Sequence, residues 1–294
     1  MMKKMFPIQP HFEASHLGKY AHESKMPDWL IQKLLRGGQV CTKDVIPALK
    51  QLAEKAESIK YAYFCHPGVH HISKLSREGA FCGYRNIQTL ITYVIGTSMV
   101  GFEHFEGTLP SIFRIQDLIE AAWDLGYNSN GRVETGGIKG TRKYIGTPEA
   151  QALFNSLSIP CSVKAFRPMT NERAYESLIH TIENYFEQGI LMEHDAKIRQ
   201  TDLPPVYLQH QGHSLTVVGF EKSQRDGSCL YVFDPSSSRP DSVKKCIGKN
   251  LRLTSSKANS AIQPYRRGKA YLRKHKEFEV LFLRKTPPSD DNAV

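Results

Sequence analysis

The chain has 294 residues, 40% of them hydrophobic, and a formal net charge of +10. That supports one large domain, or a domain with a helical extension, around a sizeable core. It offers no apolar run long enough to span a bilayer and no signal-peptide hydrophobic region in residues 1–7, so no membrane partner is expected. Its six cysteines are scattered without a Cys-x-x-Cys, which suits a reducing compartment (cytoplasm, nucleus or both) better than a disulfide scaffold.

Residues 1–26 are polar and His-rich and are expected to be disordered. Residues 27–60 hold two short helical patterns parted by Gly37 and Gly38. The second, 43–58, sets Val45, Leu49, Leu52 and Ala56 on one face. These helices read as an extension that packs on the domain or serves as a substrate-binding arm. Residues 61–65 read as a strand. Cys65-His66 and His70-His71 are close in sequence, but the spacing fits no common structural zinc site and Pro67-Gly68 makes the stretch a turn. No metal and no cofactor is expected.

After Cys82, the apolar residues Ile87, Leu90, Ile91 and Val94 recur at i, i+3, i+4 and i+7. This predicts a helix that begins near Cys82. Its first turn carries N–H groups without intrahelical partners, at the positive end of the macrodipole. Both favour a thiolate, the nucleophilic form of cysteine, and the same N–H groups suit an oxyanion. The competing reading is an inert, buried helix-start cysteine.

Ser111 caps a second amphipathic helix that ends before Gly126. Residues 128–144 are Gly-rich but lack a Gly-Lys-Ser or Gly-Lys-Thr. They read as a mobile loop over a cleft rather than a phosphate cradle. Thr147-Pro148-Glu149 starts a helix that ends near Ser158. Residues 162–166 form a strand, and Asn171 caps a helix through Phe186. Residues 205–211 are a strand leading to His213.

Residues 214–221 and 228–234 are apolar, β-branched and aromatic runs joined by a polar loop that ends in Asp226-Gly227. This predicts a β-hairpin. Pairing Glu221 with Ser228 sets His213 opposite Ser236, about one step from Asp234. The carboxylate is then placed to hold the imidazole tautomer and stabilise the imidazolium. Nucleophile, base and orienting acid follow in the order Cys82, His213, Asp234, the order of papain-like enzymes. Helices on one side of an antiparallel sheet, with the nucleophile helix early and the His and Asp strands late, make an α+β architecture.

Between Lys244 and Lys276 there are eleven Lys and Arg and no Asp or Glu. A bias this one-sided predicts an electropositive surface, with a solvated face, nucleic acid or an acidic partner as the alternatives. Within it, residues 264–276 read as a basic helix. Residues 277–284 alternate like an edge strand, and 287–294 are a tail.

The segments FCGYRNIQ, QHQGHSLTVVGFE and LYVFDP resemble the three signatures of the ubiquitin-fold-modifier-specific protease family, nearest its zinc-finger-containing ubiquitin peptidase branch and fungal relatives. The resemblance implies a papain-like catalytic domain over 61–286 and cleavage after the C-terminal Gly of ubiquitin or a ubiquitin-like protein. By motif it makes Cys82 the nucleophile, His213 the general base and Asp234 the orienting acid, with Gln209 assisting at the oxyanion. Two departures bear on substrate. Gly79-Ala80-Phe81 stands where the family has Gly-Trp-Gly, so Phe81 is expected to keep an aromatic wall. Asp234-Pro235-Ser236 replaces Asp-Pro-His, which forces the base to be His213 and favours ubiquitin over the smaller modifier. The zinc fingers of the larger relatives are absent from this sequence. The alternatives are a protease for another ubiquitin-like modifier and an inactive ubiquitin-binding relative.

Overall fold

The computed structural model describes residues 18–37, 40–170, 172–189, 196–225, 227–236, 242–250 and 252–285. The expected tail at 287–294, most of the segment expected to be disordered and the expected cap Asn171 lie outside them. The first part of the chain forms α1 (Asp28–Leu35), β1 (Val40–Thr42), α2 (Val45–Lys55), β2 (Ile59–Phe64), β3 (His71–Ser73) and α3 (Cys82–Gly96). Then come α4 (Ile112–Asp124), α5 (Asn130–Thr135), α6 (Thr147–Ser156), β4 (Cys161–Phe166) and α7 (Ala174–Glu187). The last third holds β5 (Ile198–Gln200), β6 (Val206–His210), β7 (His213–Ser223), β8 (Ser228–Phe233), α8 (Ser255–Ile262), β9 (Arg266–Gly268), α9 (Lys269–Leu272) and β10 (Phe278–Leu283).

The main sheet runs β4-β10-β6-β7-β2-β5, with β8 on the other edge of β7 and β9 beyond β8. All its pairs are antiparallel except β2 with β5. One long strand organises the site. The first half of β7 pairs with β6 and its second half with β2. Gly219 marks the change of partner, where an added Cβ would lie 2.4 Å from the Tyr63 carbonyl oxygen. The β7–β8 hairpin starts in the register Lys222↔Ser228, and an irregularity at Val218 changes it to Val217↔Val232 and Thr216↔Phe233. The extra residue of the bulge restores, near the site, the register expected from sequence.

Four expectations are corrected. Helices pack on both faces of the sheet. The Tyr185 ring of α7 lies 4.9 Å from that of Phe282 in β10, tilted against it, while Thr147 of α6 bonds Glu279 of the same strand. Residues 279 and 282 point to opposite faces because strand side chains alternate. Strand β10 is not an edge but lies between β4 and β6, as its buried Phe278, Val280 and Leu281 require. Residues 264–276 are not one helix. Arg266–Gly268 is extended because its two arginines reach carboxylates on either side of the strand.

The segment 18–26, expected to be disordered, is packed. Met26 N–H donates to the Gly140 carbonyl at 2.7 Å, Glu23 pairs with Arg142, and Arg142 lies over the Tyr20 ring at 4.2 Å. Leu30 and Leu34 of α1 and Val45, Leu49 and Leu52 of α2 join the same core as the sheet. Among the described residues, no helix is long and apolar enough to cross a membrane.

Candidate active site

Helix α3 begins at Cys82, and its first thirteen residues are all buried. The start of the helix is fixed from both sides. Gly83 abuts the next loop so closely that an added Cβ would lie 2.6 Å from the Ile145 carbonyl oxygen. On the other side the loop before Cys82 is anchored by a buried ion pair. Arg85 and Glu78 meet at 2.7 Å with side chains 1% and 0% exposed. Glu78 also accepts the Leu75 N–H, and Arg85 reaches Gln88, which in turn donates to the Pro110 carbonyl. Phe81 is fully buried and edge-on to Tyr84. It backs the helix start rather than walling an opening.

Cys82 is 2% exposed. Burial works against its thiolate, but a hydrogen bond from His213, the imidazolium charge, the Ser214 N–H and Lys74 outweigh it, and the thiol pKa falls below its ordinary value. His213 opens β7, directly opposite His210 at the end of β6. Its Nε2 lies 2.9 Å from Asp234 Oδ1, which leaves Nδ1 for the thiol. Burial lowers the His213 pKa, yet Asp234 and Cys82 raise it from 6.5 to about 9. The balance describes a thiolate–imidazolium pair. Asp234 follows β8. Burial opposes its charge, but His213, the Ser236 N–H and Arg267 hold the carboxyl well below the usual range.

Gln209 sits in β6 opposite Ser214, so the two side chains share a face. Its Oε1 accepts the Thr147 N–H at 2.9 Å. A backbone N–H can only donate, so this contact assigns the amide and turns its NH2 away as a free-standing donor. Gly146 makes room for it, since a Cβ there would lie 2.6 Å from Oε1. The structure therefore brings all four sequence-derived residues to one place: Cys82, His213 and Asp234 in a connected row, and Gln209 beside the strand that carries His213.

Three further features carry no signal in the sequence. Arg267 binds Asp234 Oδ2 at 2.8 Å, and Arg266 binds Glu221. Two of the eleven basic residues are thus internal counter-ions, not surface charge. The Gly-rich stretch is braced instead of loose. Glu120 Oε1 accepts the N–H groups of Ile138 and Lys139, and Gln116 bonds both Gly140 and Thr141. It leads straight to Ile145 and Gly146 at the nucleophile. Of the residues weighed for zinc, His70 Nδ1 lies 3.6 Å from Cys41 Sγ. Cys65 is buried, His66 holds its own turn through the Gly68 N–H, and His71 stacks on Phe233 at 4.6 Å.

The family model described as Peptidase family C78 matches residues 58–281. This chain belongs to peptidase family C78. The chain is 31% identical over 248 residues to the mouse zinc finger-containing ubiquitin peptidase 1, covering 83% of this chain and 41% of that protein. The human protein of the same name is 30% identical over 83% of this chain and 41% of its own length. The fission yeast ubiquitin carboxyl-terminal hydrolase mug105 is 31% identical over 57% of this chain and 64% of its own length. The chain thus spans about two fifths of the mammalian relatives. The solved structure of UfSP from C. elegans matches 72% of this chain and 31% of its own, with a TM-score of 0.41 and 16% identity.

Proposed function

We propose that this C78 chain is a cysteine peptidase that hydrolyses the bond after the C-terminal Gly of ubiquitin, joined to an amine of another protein. The observation that carries the reading is the Cys82–His213–Asp234 row, in which the thiol is pushed toward thiolate and the imidazole toward imidazolium. The thiolate attacks the Gly carbonyl carbon. The Cys82 N–H and the Gln209 NH2 receive the oxyanion. His213 gives its proton to the leaving amine, then takes one from the water that hydrolyses the thioester. Asp234 stays ionised throughout and holds the ring.

A nucleophile only 2% exposed supports a Gly-ended tail, because a slender chain without side chains reaches it most easily. Ubiquitin, in preference to the ubiquitin-fold modifier, is supported by Ser236 after Asp234-Pro235 and by the ubiquitin peptidases among the chain's relatives. Six free cysteines support a reducing compartment, cytoplasm or nucleus. The exposed Lys249, Lys257, Lys269, Arg273, Lys274 and Lys276 support contact with nucleic acid or an acidic partner. Hydrolysis of fluorogenic ubiquitin and of the fluorogenic ubiquitin-fold modifier, by wild type and Cys82→Ala, tests the reading. Cys82-dependent release from ubiquitin alone is expected. Release from the other modifier alone overturns the substrate, and release from neither overturns the activity.

A further inference from the structure

The carboxylate of Asp234 is held at both oxygens. Oδ1 accepts His213 Nε2 at 2.9 Å and the Ser236 N–H at 2.9 Å. Oδ2 accepts Arg267 Nη2 at 2.8 Å. The terminal torsion of an aspartate is broad, so its donors set the plane of the carboxylate. The two bonds on Oδ1 leave rotation about that oxygen, and the bond on Oδ2 removes it.

Arg267 is itself fixed. Nη1 donates to the carbonyls of Pro264 at 2.8 Å and Arg266 at 3.0 Å, and the guanidinium lies 5.1 Å from the Tyr271 ring centre. Its backbone pairs with Leu230 of β8, the strand that ends at Asp234. The side chain is 14% exposed, too enclosed to serve as surface charge. Tyr271 continues the buttress, with its hydroxyl 2.6 Å from His210 Nε2. His210 Nδ1 lies 3.1 Å from the Gln211 carbonyl, which only accepts. The neutral ring therefore donates its one N–H, at Nδ1, to the Gln211 carbonyl and accepts a hydrogen bond from the Tyr271 hydroxyl at Nε2. His210 brings no second cation to compete for Asp234.

We infer that Arg267 is a positioning residue of the active site, one that aims Asp234 at His213 by clamping the far carboxylate oxygen. The inference rests on the reading of Cys82 and His213 as nucleophile and base, and it adds Arg267, from the C-terminal basic segment, to the row. A clamp and a bystander cation act on His213 with opposite sign. A bystander cation repels the imidazolium, so its removal raises the pH at which His213 titrates. A clamp keeps the anion in place, so its removal costs His213 its partner and lowers that pH. The other groups that face His213 are Cys82 of α3, Asp234 itself, His210 of β6 and His275 after α9, with Lys74 beyond the thiol. All are unchanged in the single variants Arg267→Met and Arg267→Lys.

The test follows the His213 ring by NMR, assigned by its loss in His213→Gln, in the wild-type chain, Arg267→Met and Arg267→Lys. Turnover of a ubiquitin substrate is measured in parallel. A clamp lowers the His213 midpoint in Arg267→Met by about one pH unit and kcat by about 10-fold, with KM within about twofold. Arg267→Lys, which keeps the charge but not the fork, falls between Arg267→Met and wild type. In an Asp234→Asn background Arg267→Met has no further effect. An unmoved or raised midpoint, or a full extra loss in that background, overturns the inference. If Arg267→Met does not fold, Arg267→Lys decides alone, since a bystander cation there leaves the midpoint unmoved. The titration needs no turnover. A protein that titrates as expected yet cleaves no ubiquitin therefore contradicts the proposed function and not the clamp.

Discussion

Replacing Asp234 by Asn removes one charge and almost no volume. The amide meets donors on both sides: His213 and Ser236 at one oxygen position, Arg267 at the other. Whichever way it turns, its NH2 faces a donor. His213 owes its rise from 6.5 to about 9 to Asp234 and Cys82 acting against burial. That rise is worth roughly 3 kcal/mol at about 1.4 kcal/mol per pH unit. Taking Asp234 to supply half or more of it, the substitution costs about 1.5–3 kcal/mol, or about 10- to 100-fold in kcat/KM. The assay is hydrolysis of a fluorogenic ubiquitin substrate across pH, with the His213 titration read by NMR on the same protein. A loss of less than about threefold together with an unmoved His213 midpoint refutes the electrostatic account of the pair.

Activity rises from acid as Cys82 becomes thiolate, below the pH of an ordinary cysteine, and falls through about 9 as His213 loses its proton. The sign for stability follows from the same raised value: the His213 contribution is complete below about 6.5 and is lost as pH climbs past about 9. A stability curve that rises through that window contradicts it. Gln209→Ala lowers kcat by about 10²- to 10³-fold with little change in KM; an equal change in KM alone assigns Gln209 to binding instead. Arg85→Met leaves Glu78 a buried carboxylate without its counter-ion and costs about 3–5 kcal/mol in urea unfolding, whereas a cost below about 1 kcal/mol means the pair does not anchor the loop. Gly83→Ala drives a Cβ to 2.6 Å from the Ile145 oxygen and costs about 1–3 kcal/mol, with loss of turnover as α3 shifts; wild-type turnover contradicts the tight seat of the nucleophile.

Three residues of the candidate site were legible because each carries a local signature, whereas Gln209 was named only by the family resemblance. Cys82 stands at the start of a 3.6-residue apolar period, and His213 and Asp234 bracket two β-branched runs around a polar turn. The hairpin register came out right near the site for a reason invisible in the pattern, since the bulge at Val218 offsets a one-residue difference at the turn. What stayed hidden depends on contacts between distant segments. Nothing in the string of basic residues shows that Arg266 and Arg267 face inward, because a charge reads alike whether its partner is water or a carboxylate. The glycines of 128–144 suggested looseness, yet Glu120 and Gln116 from α4 supply the hydrogen bonds that the loop itself lacks. Strand β10 looked like an edge because Glu277 and Glu279 alternate with apolar residues. Glu279 is buried, however, and receives the Thr147 hydroxyl.

The most direct test of the central claim is covalent capture by ubiquitin carrying a C-terminal electrophile, with the modified peptide identified by mass spectrometry. A single adduct on Cys82, absent in Cys82→Ala and slowed in Asp234→Asn, is the result this account predicts. An adduct on another of the six cysteines, or none on Cys82 while the same electrophile on the ubiquitin-fold modifier reacts there, contradicts it.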